Sequence, residues 1–237
     1  MELRTKETKE QVAEDFSVFF KERCATGEPV HIALSGGSTP KIVFDQLASE
    51  FGKDIDWSQV YLYWGDERCV PPTDAESNYK MTVDHLLSKI EIPKTNIYRV
   101  KGESDPEEEA KRYGEVLQEN IPAANGIPCF DLVILGMGDD GHTASIFPHQ
   151  IALWDMPENC RVATHPDSGQ KRVTITGKVI NNAKTIAFLV TGASKAEKVA
   201  AIINKAEGYK QYPASLVAPK SDELIWFLDQ DAAAGLQ

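Results

Sequence analysis

Three short apolar runs, each leading directly into a polar turn, constrain the fold of this chain more than any other feature of its sequence. The runs are Val30–Leu34, Val60–Trp64 and residues 130–135, and the turns that follow are rich in glycine or in charge. Segments with helical periodicity separate the runs. Strands that alternate with helices form a mainly parallel sheet with helices on both faces, so the predicted fold class is α/β.

The remaining elements continue this alternation. Residues 7–26 carry apolar residues at helical spacing, and the first ten residues are predicted as the start of that surface helix. Further helical patterns follow Pro40, cover 77–90 and 106–120, and begin near Ala193, while further strands are predicted at 97–100, 172–176, 185–190 and 224–228. Residues 146–171 are the least regular. With no repeat or linker in the sequence, we expect one domain over residues 1–237.

The carboxyl ends of parallel strands lie at one edge of a sheet, and ligands of open α/β sheets bind at that edge. The turns after the three apolar runs are therefore expected to meet, although they lie far apart in the sequence. The sequence thus predicts one site built from residues 35–39, 66–68 and 136–142.

The overall charge and composition exclude several functions. A formal net charge of −11, with no basic stretch, argues against nucleic-acid binding. No apolar run approaches the roughly 20 residues needed to span a bilayer, and the first residues do not resemble a secretory signal, so we expect a cytoplasmic protein with no membrane contact. Four widely spaced cysteines suggest reduced thiols, and we expect neither a metal site nor a cofactor, nor an obligate protein partner.

The first polar turn, Ser35 to Thr39, has the composition of a phosphate-binding turn. Gly36 and Gly37 allow a close backbone approach, Ser35, Ser38 and Thr39 supply hydroxyls, and a helix begins directly afterwards. The turn matches neither the nucleoside-triphosphate loop nor the dinucleotide fingerprint. The alternative is a tight strand-to-helix turn with a hydroxyl cap.

Three cations follow predicted strands or open them. Arg68 lies in the charged stretch 66–68, Arg172 opens a strand, and Lys195 lies at the start of a helix. Each is a candidate phosphate ligand, because a guanidinium or ammonium placed at a helix N-terminus or strand end binds an anion locally. The alternative for each is a solvated surface charge.

The third turn contains the best candidate for a general base. Glycines bring the backbone close in residues 136–141, and His142 follows Asp140 and Gly141. An imidazole exchanges protons near neutral pH, and a neighbouring carboxylate fixes its tautomer. The alternative is a surface-loop histidine. Ser145 follows closely, but no G-x-S-x-G elbow surrounds it, so histidine-assisted attack of water on an activated acyl carbon is favoured over covalent serine catalysis.

Long ordered motifs make the chain resemble the 6-phosphogluconolactonases. They are ALSGGSTP at 33–40, WGDERCVPP at 64–72, FDLVILGMGDDGHTASIFP at 130–148 and NNAKTIAFLVTGASKAEKV at 181–199. The resemblance implies a modified Rossmann-like fold, shared with glucosamine-6-phosphate deaminases and ribose-5-phosphate isomerases. It also implies hydrolysis of 6-phospho-D-glucono-1,5-lactone, the second step of the oxidative pentose phosphate pathway.

On this hypothesis each candidate residue has a role. His142, oriented by Asp140, activates the water, and backbone amides of residues 136–141 or one of the cations stabilise the oxyanion. The phosphate is held by Ser35, Gly36, Gly37, Ser38, Thr39, Arg68, Arg172 and Lys195.

Two alternatives remain from the sequence: an isomerase or deaminase of the same fold, and a sugar-phosphate-binding module without turnover. The deaminases resemble G-H-I-A-F-N-E-P, with a glutamate just before the proline, whereas this chain has Phe147 there. They also tend to have Asp-Glu-Tyr where this chain has Asp-Glu-Arg. Both differences favour the lactonase. The chain departs from the usual lactonase pattern at His149, where a glycine is common, and in the loop up to Gln170.

Overall fold

A seven-stranded parallel sheet forms the centre of the protein, which the computed structural model describes over residues 1–236. The strands are β1 (Glu2–Lys6), β2 (Val30–Leu34), β3 (Val60–Trp64), β4 (Asp66–Arg68), β5 (Ile97–Tyr98), β6 (Ala123–Ala124), β7 (Ile127–Pro128), β8 (Leu132–Leu135), β9 (Cys160–Thr164), β10 (Lys171–Ile175), β11 (Thr185–Val190) and β12 (Leu224–Asp229). The helices are α1 (Lys9–Cys24), α2 (Ser38–Glu50), α3 (Asn78–Thr82), α4 (Pro106–Asn120), α5 (Gly177–Ile180), α6 (Ala196–Ile203) and α7 (Gln230–Ala233).

The strand order in the central sheet is β1-β12-β11-β8-β2-β3-β5, and every pairing in it is parallel. The predicted α/β class with a mainly parallel sheet is confirmed. Every residue of β2, β8 and β11 is buried, which requires cover on both faces of the sheet.

Aromatic side chains show the two covered faces directly. On one face Phe227 of β12 meets Phe16 and Phe19 of α1, with ring centroids 5.1 and 5.4 Å apart. Its neighbour Trp226 points to the opposite face, as alternation along a strand requires, and stacks on Phe188 of β11 at 3.9 Å. The buried apolar side chains of the two faces belong to one continuous cluster.

Local sequence signals explain where the helices begin. Thr8 caps α1 by accepting a hydrogen bond from the Gln11 N–H at 3.3 Å. Asp105 caps α4 by accepting from two backbone N–H groups of its first turn, which also contains Pro106 and three glutamates. Such residues satisfy the unpaired N–H groups of a helix start and complement its dipole.

A second sheet, which the sequence did not predict, stands beside the carboxyl ends of the central strands. Residues 66–68 were expected to form a polar turn but form β4, which pairs antiparallel with β10, and β10 pairs antiparallel with β9. The predicted strand at 172–176 therefore exists as β10, but outside the central sheet. A small hairpin of β6 and β7 completes the strand pairing.

The N-terminal residues also differ from expectation. Residues 2–6 form the edge strand β1, paired parallel with β12, rather than the start of a helix, and α1 begins only at Lys9. The strand alternates charged residues with Leu3, which is 42% exposed, so it has no apolar pattern that marks a strand. Its backbone pairing with residues 225–229 stabilises it instead.

Two further segments differ from prediction, the first by being less regular and the second by being more regular. The helical pattern at 77–90 becomes α3 followed by a π-helical turn, Val83–Leu87. The irregular stretch 146–171 contains a kinked 3₁₀ segment, Pro148–Asp155, and the strand β9. Among residues 1–236, no helix has the length and apolar character to cross a membrane.

Candidate active site

The predicted convergence of the three turns is what the structure shows. They line a cavity of about 180 Å³ at the carboxyl ends of β2, β3 and β8. The lining consists of Ser35, Gly36, Gly37, Asp66, Arg68, Asn78, Gly136, Met137, Gly138, His142, Ala144 and Arg172. A larger surface groove of about 640 Å³ runs beside Lys6 and Asp15, but it contains no histidine, arginine or glycine-rich turn. The smaller cavity is therefore the candidate active site.

The first turn places the N-terminus of α2 at this cavity. Gly37 precedes the helix with φ of 120°, a value that L side chains rarely adopt, and no side chain within residues 1–236 caps this helix start. The first N–H groups of a helix lack partners inside the helix, so an uncapped start attracts an anion. A Cβ on Gly36 would collide with the side-chain amide of Asn78, so this position admits only glycine without rearrangement.

Two residues of the predicted phosphate turn lie outside the cavity lining. Thr39 is buried and shares a hydrogen bond of 2.7 Å with the Thr191 hydroxyl, at the end of β11. Ser38 is the first residue of α2 and its side chain is exposed. Their hydroxyls are thus not gathered at the cavity with Ser35, whereas the backbone of the turn is.

A buried glutamate shapes the second turn. The Glu67 carboxylate is 2% exposed and accepts four hydrogen bonds, from the backbone N–H groups of Arg68, Asn78 and Tyr79 and from the Ser77 hydroxyl, at 2.8 to 3.0 Å. Burial raises the pKa of Glu67, and the four hydrogen bonds oppose that rise. By holding residues 77–79 against β4, Glu67 brings the Asn78 side chain to the cavity.

Two arginines face the cavity from neighbouring strands. Arg68 of β4 and Arg172 of β10 are paired in register. Burial and the nearby Arg68 charge both lower the pKa of Arg172. Within residues 1–236 neither guanidinium forms an ion pair, and the buried Nε of Arg68 has no hydrogen-bond partner. The Asp66 carboxylate lines the same cavity and favours the charged form of Arg172, but it forms no ion pair with either guanidinium. Two positive charges without an ion-pair partner in the described part of the chain are suited to binding an anion such as phosphate.

The third turn brings the predicted acid–base pair together. His142 Nδ1 lies 2.7 Å from Asp140 Oδ1, and the same oxygen accepts the His142 backbone N–H at 3.0 Å. Partial burial opposes ionisation of Asp140, but these hydrogen bonds outweigh it and lower the pKa to about 2. The ionised carboxylate can only accept, so Nδ1 carries the proton and Nε2 is left with a free lone pair.

The backbone around His142 is closely fitted. A Cβ on Gly138 would collide with the His142 ring and the Asp140 carboxylate, so glycine is required for this approach. The Gly138 N–H donates to the His142 carbonyl at 2.9 Å, and the Gly141 N–H donates to the Gly138 carbonyl at 3.0 Å. Of the amides considered for oxyanion stabilisation, these two are thus occupied in holding the turn.

Ser145 fastens the third turn to the second sheet. Its hydroxyl is fully buried and donates to Asp66 Oδ2 at 2.6 Å, while its N–H donates to the Thr174 hydroxyl at 3.2 Å. A hydroxyl engaged in this way has a structural role, in agreement with the prediction against covalent serine catalysis.

The ring of Phe147 contacts both His142, the predicted base, and Arg172, a predicted phosphate ligand. It is 1% exposed, lies 4.6 Å from the His142 ring, and has the Arg172 guanidinium 5.5 Å from its centroid. His165 also meets this ring edge-on at 5.3 Å. An apolar ring thus occupies the place where the deaminase pattern has a carboxylate.

Lys195 is not brought to the cavity lining. Its Nζ pairs with Asp139 Oδ1 at 2.6 Å, and the Ser194 hydroxyl donates to the same oxygen at 2.9 Å. This ion pair joins the third turn to the start of α6. A contact between Lys195 and phosphate stays a prediction.

The place of Asn78 and the structural role of Asp66 in the site were not predicted. In the sequence, Asn78 lies in the stretch Ser77-Asn78-Tyr79, which has no evident chemical purpose, and the role of Asp66 as acceptor for Ser145 depends on a contact between distant residues. Among residues 1–236, no group of three or more histidine, cysteine, aspartate or glutamate side chains has a metal-binding arrangement.

Comparison with known proteins gives concordant matches. The family model described as glucosamine-6-phosphate isomerases/6-phosphogluconolactonase matches residues 4–226. A 6-phosphogluconolactonase of Treponema pallidum is 50% identical over 183 residues, 77% of this chain and 76% of the relative. One of Haemophilus influenzae is 45% identical over 225 residues, 94% of this chain and 93% of the relative. The solved 6-phosphogluconolactonase from Trypanosoma brucei is 27% identical and superimposes with a TM-score of 0.88, covering 100% of this chain and 98% of that chain.

Proposed function

The chain belongs to the family of glucosamine-6-phosphate isomerases and 6-phosphogluconolactonases, and we propose that it hydrolyses 6-phospho-D-glucono-1,5-lactone to 6-phospho-D-gluconate. The observation that carries this proposal is the pairing of Asp140 with His142 at 2.7 Å beside a cavity that also receives an uncapped helix start and two unpaired arginines. A base and an anion anchor at one small cavity suit an ester that carries a phosphate.

His142 acts as the general base. Its Nε2 accepts a proton from water while the water oxygen attacks the lactone carbonyl carbon, giving a tetrahedral intermediate. The intermediate collapses by breaking the bond between that carbon and the ring oxygen, and the imidazolium returns its proton to the departing oxygen. Asp140 stabilises the imidazolium between these two transfers, because its ionised carboxylate accepts a hydrogen bond from Nδ1–H.

The phosphate binds at the start of α2, between the Ser35–Gly37 backbone and the guanidiniums of Arg68 and Arg172. The unpaired Nε of Arg68 and the uncapped helix start both support this placement. Lys195 completes the anchor by exchanging Asp139 for the phosphate. Since the Asp139 side chain is 69% exposed, this surface ion pair is weak and its loss costs little.

The lactonase is favoured over a deaminase by Phe147. Its buried ring lies against His142 and leaves no carboxylate at the position of the deaminase glutamate. The reaction we propose needs no third acid–base group, because a lactone is an activated ester with its leaving group tethered.

The proposed substrate is a small molecule in the cytoplasm, and we propose no nucleic-acid, membrane or obligate protein partner and no cofactor. All four cysteines are free thiols, which supports a reducing compartment. The net charge of −11 supports the exclusion of nucleic acid.

Initial rates on freshly generated phosphorylated lactone test the proposal. Rates are taken at early times, near or below neutral pH, with spontaneous opening subtracted. We expect rapid hydrolysis of the phosphorylated lactone, a much higher KM for unphosphorylated gluconolactone, and no ammonia release from glucosamine 6-phosphate. Hydrolysis no faster than the spontaneous reaction would contradict the proposal.

A further inference from the structure

Gln170, at the end of the loop between β9 and β10, bridges Arg172 of the cavity and Glu76 on the protein surface. Its Oε1 accepts a hydrogen bond from Arg172 Nε at 3.3 Å, and its Nε2 donates to the Glu76 carboxylate at 3.0 Å. Resting on the proposed function, we propose that Gln170 is a positioning residue that orients Arg172 for the substrate phosphate and keeps the Glu76 carboxylate from neutralising it.

The contacts form a chain across the rim of the cavity. Arg172 bonds to Gln170, Gln170 bonds to Glu76, and the backbone carbonyl of Glu76 accepts from Arg68 Nη1 at 2.6 Å. The chain joins the loop that precedes β10 to the loop that follows β4. Each arginine is therefore held by a residue of its own rim segment, and these two residues contact each other across the rim.

Both arginines are held by neutral acceptors. Arg172 bonds to an amide oxygen and Arg68 to a backbone carbonyl, so neither loses its positive charge to the group that orients it. Glu76 is the carboxylate of this chain of contacts, and its Oε2 is engaged by the Gln170 amide. An ion pair with the carboxylate would orient an arginine equally well but would weaken its attraction for phosphate.

The side-chain amide of Gln170 suits this role because it has both an oxygen that accepts and a nitrogen that donates hydrogen bonds. The amide presents an acceptor to the arginine and a donor to the carboxylate at the same time, which neither glutamate nor lysine can do. The residue lies in the segment of the sequence that least follows the family pattern, so no motif indicated it.

Substitution of Gln170 with an acidic and an apolar side chain separates charge from packing. Gln170→Glu places a carboxylate on Arg172, and Gln170→Met removes both hydrogen bonds at similar size without adding charge. Gln118→Glu is the matched control: Gln118 bonds to Asn159 on the surface, outside the cavity lining, and the substitution adds the same charge.

We expect Gln170→Glu to raise the KM for the phosphorylated lactone about tenfold or more, and Gln170→Met to raise it about threefold, with kcat changed less than KM in both. The inhibition constant for inorganic phosphate should rise in parallel with the KM. Kinetics on unphosphorylated gluconolactone, and all kinetics of Gln118→Glu, should match the unsubstituted protein.

Two results would overturn the inference. One is a Gln170→Glu variant whose KM and inhibition by phosphate are unchanged. The other is an equal loss of activity on the phosphorylated and unphosphorylated lactones, which would indicate a distorted rim. Failure of the proposed function is a separate result, because the unsubstituted protein would then show no preference for the phosphorylated lactone.

Discussion

Asp140→Asn tests the link between the carboxylate and the base more sharply than removal of the base itself. The amide keeps the shape of the side chain, and its oxygen can still accept the His142 N–H groups. What it removes is the negative charge that, in the proposed mechanism, stabilises the imidazolium formed during hydrolysis. The predicted effect is therefore on kcat, while the phosphate anchor and the KM stay nearly unchanged.

The pKa of Asp140 gives an upper scale for the effect, because the His142 contacts are among several causes of its shift. The fall from 3.8 to about 2 reports how strongly the surroundings favour the carboxylate. At about 1.36 kcal/mol for each pKa unit, this corresponds to roughly 2 kcal/mol. The side chain is 41% exposed, so solvent screening reduces the contribution to about 1 kcal/mol. A loss of kcat of about 5- to 10-fold is expected for Asp140→Asn, against about 10²-fold to 10⁴-fold for His142→Ala.

The assay compares initial rates of phosphorylated-lactone hydrolysis for the unsubstituted protein and the two variants, with the spontaneous rate subtracted and folding checked by circular dichroism. The reasoning requires a graded order, with Asp140→Asn between the unsubstituted protein and His142→Ala. A folded His142→Ala protein with near-normal kcat would remove the base assignment, and attention would then turn to Asp66, whose carboxylate lines the cavity. An Asp140→Asn loss as large as that of His142→Ala would show that Asp140 does more than stabilise charge.

Four further outcomes are expected. Arg172→Ala should raise the KM for the phosphorylated lactone by about 10- to 100-fold, since a charge-assisted hydrogen bond contributes roughly 1.5–3 kcal/mol, and leave gluconolactone kinetics unchanged. Gly138→Ala should lower kcat more than it raises KM, because the added Cβ displaces the His142 ring. Activity should survive EDTA, and loss restored by one divalent ion would contradict this. Because folding lowers the pKa of Asp140, the contact of its carboxylate with His142 stabilises the protein at neutral pH, and this stabilisation is lost as the pH falls from about 4 towards 2. The free energy of unfolding in urea should therefore depend less on pH in that range for Asp140→Asn than for the unsubstituted protein.

Several strands of the central sheet could be predicted from the sequence because they are short apolar runs that are largely buried. Val30–Leu34, Val60–Trp64 and Thr185–Val190 form strands with the predicted bounds. The convergence of the three turns followed from parallel topology alone, which places the carboxyl ends of all strands at one edge. His142 and Asp140 were identifiable because their contact is local in sequence.

The features that could not be predicted depend on contacts between distant residues. The strand β1 is held by backbone pairing with β12, about the whole length of the chain away, and carries no apolar pattern. The strand β4 is only three residues long, and all of them are charged, so its pairing with β10 is invisible in the sequence. Asn78 reaches the cavity because buried Glu67 accepts four hydrogen bonds, one of them from the Asn78 backbone. The ion pair of Lys195 with Asp139 depends on how close the turn after β8 lies to the turn after β11.

An acidic protein that binds an anion must separate its overall charge from the charge of its site. At physiological ionic strength, charges more than about 8 Å apart in solvent are largely screened, so the net charge of −11 has little influence on a phosphate already inside the cavity. On the proposed placement, the groups within that distance of the phosphate include the start of α2, Arg68 and Arg172, together with the Asp66 carboxylate that lines the same cavity. The neutral acceptors on both arginines matter for this reason: a carboxylate in either place would extend the negative character of the surface into the site. On the proposed function, the specificity of the site thus depends on which groups hold its cations as much as on the cations themselves.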